Sequence, residues 1–360
     1  MFLTRSLPAL RWARAIAAGA LGLVATVASA DSISPTSYAA DLGVGESVTV
    51  RKTVTVTLGR PDAALIDVVF LFDITGSMGG AIAGAKTSAA SILTNLSALG
   101  NVASSTGWYA DPTFDGTKSV MTTTDATTIA AINSLDACNS GSGFDGSLCG
   151  GDTPEKMYAG IVEAAEDTAW RVGSNRFIVV LGDAENLPPP DAATTNAALG
   201  AANAEVIGIN FGDIGPSIAA LGGTTYASST DPEDIADAIL EGIGASFDEY
   251  SMVTVDDLGG GLPEIGVSTV CVSADIGACV GADAVGEYDR SVNRTFEFDV
   301  TFTRLVAGEA SFPTFALVDG GAVATEDDCF DCRKVPEPGS LALLAAGLFG
   351  LGALRRRVSN

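Results

Sequence analysis

"DVVFLFDITGSM", residues 67–78, decides how this chain is read. A mostly apolar run, the pattern of a buried strand, ends abruptly in oxygen-bearing side chains at Asp73, Thr75 and Ser77, with Gly76 between the last two. In a doubly wound sheet, ligands bind beyond the carboxyl ends of the strands, where the strand order reverses. A loop there that presents a carboxylate and two hydroxyls at every second position offers three hard oxygens to one point. That donor set suits Mg2+, Mn2+ or Ca2+. Gly76 tolerates the turn, and the free N–H groups of the following helix help hold the carboxylate. The competing reading is local: Thr75 and Ser77 cap the helix and Asp73 forms a turn.

Outward from this stretch, short apolar runs alternate with longer helical ones, the signature of a parallel sheet covered by helices. Strands are expected at residues 68–72, 104–110, 177–181, 205–210 and 224–227, and helices at 80–99, 126–135, 154–171, 192–202 and 232–245. Asp231 followed by Pro232 gives the last helix a cap and a proline in its first turn. The fold class is therefore α/β, a doubly wound and mostly parallel sheet over residues 65–247.

On both sides the texture changes to period two. "SVTVRKTVTVTL" (47–58) and "RTFEFDVTFTRL" (294–305) alternate apolar and polar residues, and "GVSTVCVSA" and "SFPTFALVD" continue the pattern. One β segment at 31–64 and a β-rich region at 248–334 point to a β-sandwich into which the α/β unit is inserted. The alternative is an N-terminal strand pair beside a separate C-terminal sandwich, but an isolated hairpin near residue 50 would be only marginally stable.

The two ends carry addresses. Arg5, Arg11 and Arg14 precede an apolar stretch at 15–27, and Ala28, Ser29 and Ala30 form a small-x-small cleavage pattern, so residues 1–30 are expected to be a removed export signal. At the other end, "VPEPGS" (335–340) is followed by an apolar run at 341–354 and by Arg355, Arg356 and Arg357. That run is short for the roughly 30 Å of a hydrocarbon core. Its arginines would hold the end on the cytoplasmic side, which implies a transient membrane contact.

Residues 31–334 hold thirteen of the 19 Lys and Arg and 43 of the 44 acids, a net charge of −30. Such a surface repels nucleic acid and attracts cations, so nucleic-acid binding is excluded as a default. The 6 cysteines form three close couples, Cys138 with Cys149, Cys271 with Cys279 and Cys329 with Cys332, expected to be oxidised in an exported chain. The rival, a zinc site, fits the spacing poorly. The chain holds no histidine, which removes every His-dependent triad and His general base.

"DITGS" closing a buried strand resembles the metal-ion-dependent adhesion site of von Willebrand factor A (vWA) domains, usually Asp-x-Ser-x-Ser. Thr75 replaces a serine and keeps the hydroxyl. Residues 65–247 follow that family's element order. The resemblance makes Asp183, in "FIVVLGDAE", the acidic residue of a second ligand loop, acting through water. "CGGDTPEKMYAGI" would supply the middle loop in one of two ways. The von Willebrand and integrin α forms use a threonine, here Thr153. The integrin β form has Asp-x-Pro-Glu, which Asp152, Thr153, Pro154 and Glu155 match. Counting back six residues from Ile161 also selects Glu155, so Glu155 is the expected ligand with Thr153 in reserve. The integrin β likeness also implies a neighbouring cation site near Asp152. A second flanking site is lost, because Met78, Gly79 and Gly80 stand where that form has acids. The Cys138 to Cys149 loop lies where integrin β carries its disulfide-bearing specificity loop.

The tail resembles the PEP-CTERM sorting signal of Gram-negative bacteria, with Pro336, Glu337 and Pro338 as its motif. This implies recognition by an exosortase, removal of the tail, and release or attachment at the cell surface or in an exopolysaccharide matrix. Together the resemblances imply an exported adhesion-type protein, not an enzyme. Its Mg2+ (or Ca2+ or Mn2+) would take a carboxylate from an acidic protein or polysaccharide partner. A structural matrix protein braced by the metal is the alternative. A metal-assisted hydrolase using Asp183 or Glu155 as base is a weaker one, opposed by the missing histidines.

Overall fold

The computed structural model describes residues 30–111, 113–138 and 153–332. It opens with β1 (Ser32–Ser34), β2 (Ser37–Ala40) and β3 (Ser47–Val56). An alternating unit follows: β4 (Ala64–Asp73), α1 (Gly79–Leu96), β5 (Gly100–Tyr109), β6 (Phe114–Asp115), α2 (Asp125–Asn133), α3 (Met157–Asp167) and β7 (Asn175–Gly182). It continues through α4 (Ala192–Ala202), β8 (Ala204–Asn210), α5 (Gly215–Ala220), β9 (Thr224–Ala227) and α6 (Pro232–Ala245). The closing strands are β10 (Glu249–Asp256), β11 (Ile265–Ser273), β12 (Ala278–Val280), β13 (Asp283–Asp289), β14 (Arg294–Arg304), β15 (Ala310–Val318) and β16 (Gly321–Phe330).

The α/β sheet has the order β6-β5-β4-β7-β8-β9, parallel throughout except for the short edge strand β6. From β4 the chain moves to one side for β5, then returns to the other side for β7. The strand order thus reverses at β4, which opens a crevice at its carboxyl end. Alternate residues of β4 feed two cores. Ile66, Val68, Phe70 and Phe72 pack with α1 and α6, while Val69 and Leu71 pack with α3, α4 and α5. Burial on both faces is why this strand reads as a continuous apolar run rather than an alternating one.

The remaining strands form two sheets, β1-β3-β14-β11 and β12-β13-β10-β15-β16-β2. β3 pairs antiparallel with β14 from Ser47↔Thr303 to Arg294↔Val56, and β2 lies parallel on β16. Strands that precede the α/β unit are therefore hydrogen-bonded to strands that follow it. The segment near residue 50 is an inner strand of a sheet, not a hairpin. Its core draws on the inward residues of both sheets, among them Val54, Val56, Phe298 and Phe302 against Val255, Phe312 and Phe330. Beside this core, Asp31 is clamped: Arg290 donates to both of its carboxylate oxygens (3.0 and 2.8 Å), and the Thr57 N–H and hydroxyl donate to Oδ1 (2.7 and 2.9 Å).

The bounds of α4, α6 and β9 coincide with expectation, and α4 and α6 start at side-chain caps, Asp191 accepting from the Thr194 N–H and Asp231 from that of Glu233. α3 starts at Met157, three residues later than Pro154 suggested. Glu155 is instead extended, its N–H donating to the Glu185 carbonyl (2.9 Å) and its carbonyl accepting from Leu187 (2.6 Å). α5 and β6 were not anticipated; each is too short to show a period. Cys271–Cys279 and Cys329–Cys332 are disulfides, and Cys138 is disulfide-bonded. Its expected partner Cys149 lies outside the described residues, as do Asp152, residues 1–29 of the export signal expected at 1–30, and residues 333–360. Among the described residues no helix is long and apolar enough to cross a membrane.

Candidate metal centre

The last residue of β4, Asp73, is wholly buried. Its Oδ1 accepts the Thr75 N–H at 2.8 Å, which bends the chain out of the strand, and the Thr75 carbonyl accepts from Met78 at 3.1 Å to close a single 3-10 turn over Gly76–Met78. Oδ2 of Asp73 is also buried and has no hydrogen-bond partner. Burial pushes this carboxyl up to about 7, with nearby Asp183 adding to the rise and the Thr75 hydrogen bonds opposing it. An ionised carboxylate in that position is costly unless a proton or a cation accompanies it.

The turn brings the Thr75 and Ser77 hydroxyls to 3.4 Å from each other, Thr75 buried and Ser77 exposed. Asp183 follows β7 directly and is half-buried. Its carbonyl accepts from Asp213 at 2.8 Å, and a Cβ on Gly212 would come to 2.3 Å of that same oxygen, so the next loop fits only with glycine there. Glu155 is buried on the strand-like bridge to Asn186, while Thr153 is exposed. Among the described residues no three acidic or cysteine side chains converge into a metal cage by themselves. A cation here needs the Thr75 and Ser77 hydroxyls as well, and such oxygens suit a hard divalent ion.

Tyr109, the last residue of β5 and the register partner of Asp73, was missed in the sequence. It is wholly buried and its hydroxyl has no hydrogen-bond partner. Burial raises its ionisation well above the ordinary phenol range, followed in order by the charges of Asp73, Asp183 and Glu155. One phenol thus feels all three acids, two at the ends of β4 and β7 and the third, Glu155, in the segment that leads into α3. A Cβ on Gly182 would lie 2.2 Å from the Tyr109 oxygen. Gly182→Ala is therefore expected to lower stability by about 1–3 kcal/mol through overpacking. Urea melts would check this, and an unchanged midpoint would mean that Tyr109 swings away freely.

The raised Asp73 carboxyl sets a sign for pH. Its folded value of about 7 exceeds its ordinary 3.8, so the proton stabilises the folded chain at low pH and that contribution is lost as pH rises through about 7. A cation bound there would replace the proton above that point. Added Mg2+ is expected to raise the melting temperature more at about pH 8 than at about pH 5. An equal rise at both would separate the cation from Asp73.

Residues 334–357 match the PEP-CTERM protein-sorting motif. No curated protein matches the chain. Among solved structures, it is similar to a von Willebrand factor type A protein from Catenulispora acidiphila, at 17% identity and a TM-score of 0.40, covering 84% of this chain and 72% of that one. Proximal thread matrix protein 1 from the mussel byssus, in a structure with a zinc-occupied MIDAS motif, is similar at 15% identity and a TM-score of 0.38. That match covers 54% of this chain and 47% of the mussel protein, so this chain spans about half of its length. BatB from Bacteroides thetaiotaomicron is similar at 15% identity and a TM-score of 0.38, over 50% of this chain and 98% of that one. The strand order itself, rather than these likenesses, assigns the α/β class.

Proposed function

We propose that this chain is an exported, adhesion-type binding protein that holds one divalent cation at the carboxyl end of β4. The observation that carries the proposal is the buried, unpartnered Oδ2 of Asp73, set among hydroxyls at the point where the strand order reverses. Asp73, Thr75 and Ser77 would hold the ion, with Glu155 or Thr153 from the middle loop and Asp183 acting through water. Asp152 belongs to the same loop and would serve a neighbouring site. Two carboxylates, Asp73 and Glu155, would balance a dication, where Asp73 with a threonine would leave it more electrophilic. Mg2+ is the first candidate, then Ca2+ or Mn2+. When bound, the ion supplies an open coordination position that takes a partner's carboxylate. The matched sorting motif supports export, exosortase processing and a destination at the cell surface or in an extracellular matrix.

The chain's own charge shapes the partner's behaviour. An acidic protein or polysaccharide is repelled by the surface at large and drawn only to the cation. A pull-down of such a partner is expected to succeed in Mg2+, fail in chelator, and strengthen at moderate salt as the background repulsion is screened. Capture that survives chelation, or that salt weakens steeply, would count against the bridge. The same orphan oxygen also supports a purely bracing metal. In that case chelator would lower the melting temperature and leave association unchanged.

A further inference from the structure

One cluster in the sandwich interior brings a lysine together with two acids. Lys52 stands on the inward face of β3, in phase with Val54 and Val56, and its side chain is wholly buried. Glu326 and Asp328 stand on the inward face of β16, in phase with Phe330, also with wholly buried side chains. The Lys52 Nζ touches the Glu326 Oε2 and lies 3.5 Å from the Asp328 Oδ1. The ring of Phe302, its centroid 5.0 Å from the nitrogen, covers one side. On β15 the buried Thr314 hydroxyl donates to the Asp328 Oδ2 and fixes that carboxyl.

One lysine cannot neutralise two acids. Burial raises both carboxyls above their ordinary range, and with a single counter-charge between them one acid keeps a proton. The remaining ion pair still carries a desolvation penalty of several kcal/mol per ion. An amide made from the same atoms has no such cost. The core also excludes the water that would hydrolyse it, and holds amine and carboxyl in contact.

We propose that Lys52 and Glu326 condense into an intramolecular isopeptide bond, with Asp328 transferring the protons. The reactants are the Lys52 ammonium, the Glu326 carboxylic acid and the Asp328 carboxylate. Asp328 takes one proton from the ammonium, and the freed amine attacks the Glu326 carboxyl carbon. The C–N bond forms as the C–OH bond breaks. The hydroxyl leaves as water with a proton relayed from the nitrogen through Asp328. The products are a neutral amide, one water and a protonated Asp328, so charge and atoms balance without an oxidant or co-reactant. The bond joins the two facing sheets and links positions 274 residues apart, across the whole inserted unit.

Peptide mapping of the reduced, denatured full-length protein by tandem mass spectrometry tests this. The expected result is a branched peptide joining the Lys52 segment to the Glu326 segment, lighter by one water than the two together, and no tryptic cleavage after Lys52. Lys52→Arg should abolish the branched peptide. Asp328→Asn should strongly reduce it while retaining a cooperative melt. Cleavage after Lys52 in all of the wild-type protein overturns the proposal. A branch at Asp328 in place of Glu326, or an undiminished yield in Asp328→Asn, overturns the assignment of roles.

Discussion

Asp73→Asn is expected to remove all measurable heat of Mg2+ binding without weakening the fold. The substitution keeps an oxygen to accept the Thr75 N–H and deletes the charge that burial leaves without a hydrogen-bond partner. Taking away a buried charge that lacks compensation is neutral or stabilising, so in chelator at about pH 8 the variant should melt at or above the wild-type temperature. Because the asparagine still closes the turn, lost binding with a kept fold would assign the loss to the charge and not to the backbone geometry. Calorimetric heat that persists in Asp73→Asn would place the cation elsewhere. Glu155→Ala should weaken binding more than Thr153→Ala. The reverse order would assign the threonine-type arrangement.

Asp31→Ala should have the largest effect on stability, a loss of about 3–5 kcal/mol, because it strands a buried guanidinium. Arg290 is almost wholly enclosed and spends two of its N–H donors on Asp31. The same carboxylate also satisfies the Thr57 N–H and hydroxyl, so both lose that acceptor while Arg290 keeps only two long bonds, to the Thr57 and Gly59 carbonyls at 3.4 Å. Arg51, whose pairs with Glu297 and Asp299 lie on the exposed face of the same sheet, is the control: Arg51→Ala should leave the melt unchanged. A loss for Asp31→Ala below ~1 kcal/mol would class this pair with surface ion pairs.

Much of the α/β unit was legible because its signals are local. The run in β4 is long and apolar, and Asp231 with Pro232 marks a helix start by chemistry that needs no distant partner. Pro154 misled for the opposite reason. It is a good first-turn residue, but the backbone beside it is claimed by the 185–187 segment, a pairing no local pattern announces. Within the candidate site, Asp73, Thr75 and Ser77 stand in one short stretch and could be found by spacing alone. Tyr109 could not, since its setting is made by acids from three separate segments that meet only in the fold. Lys52 shows the same limit in the sandwich. It is in phase with inward valines, yet lysine ordinarily faces water, and the acids that keep it inside lie on the last strand.

The position of β4 also has a mechanical side. Its first residue, Ala64, emerges at the short connection from the sandwich, and its last, Asp73, reaches the candidate site. A pull on that end, resisted at the sandwich, would run lengthwise along β4. Both neighbours, β5 and β7, are parallel and in register over most of its length. Tension would therefore load the two ladders in shear, with many hydrogen bonds sharing the force, rather than peel them one at a time. The strand that presents the oxygens is thus also the one best placed to bear a tug.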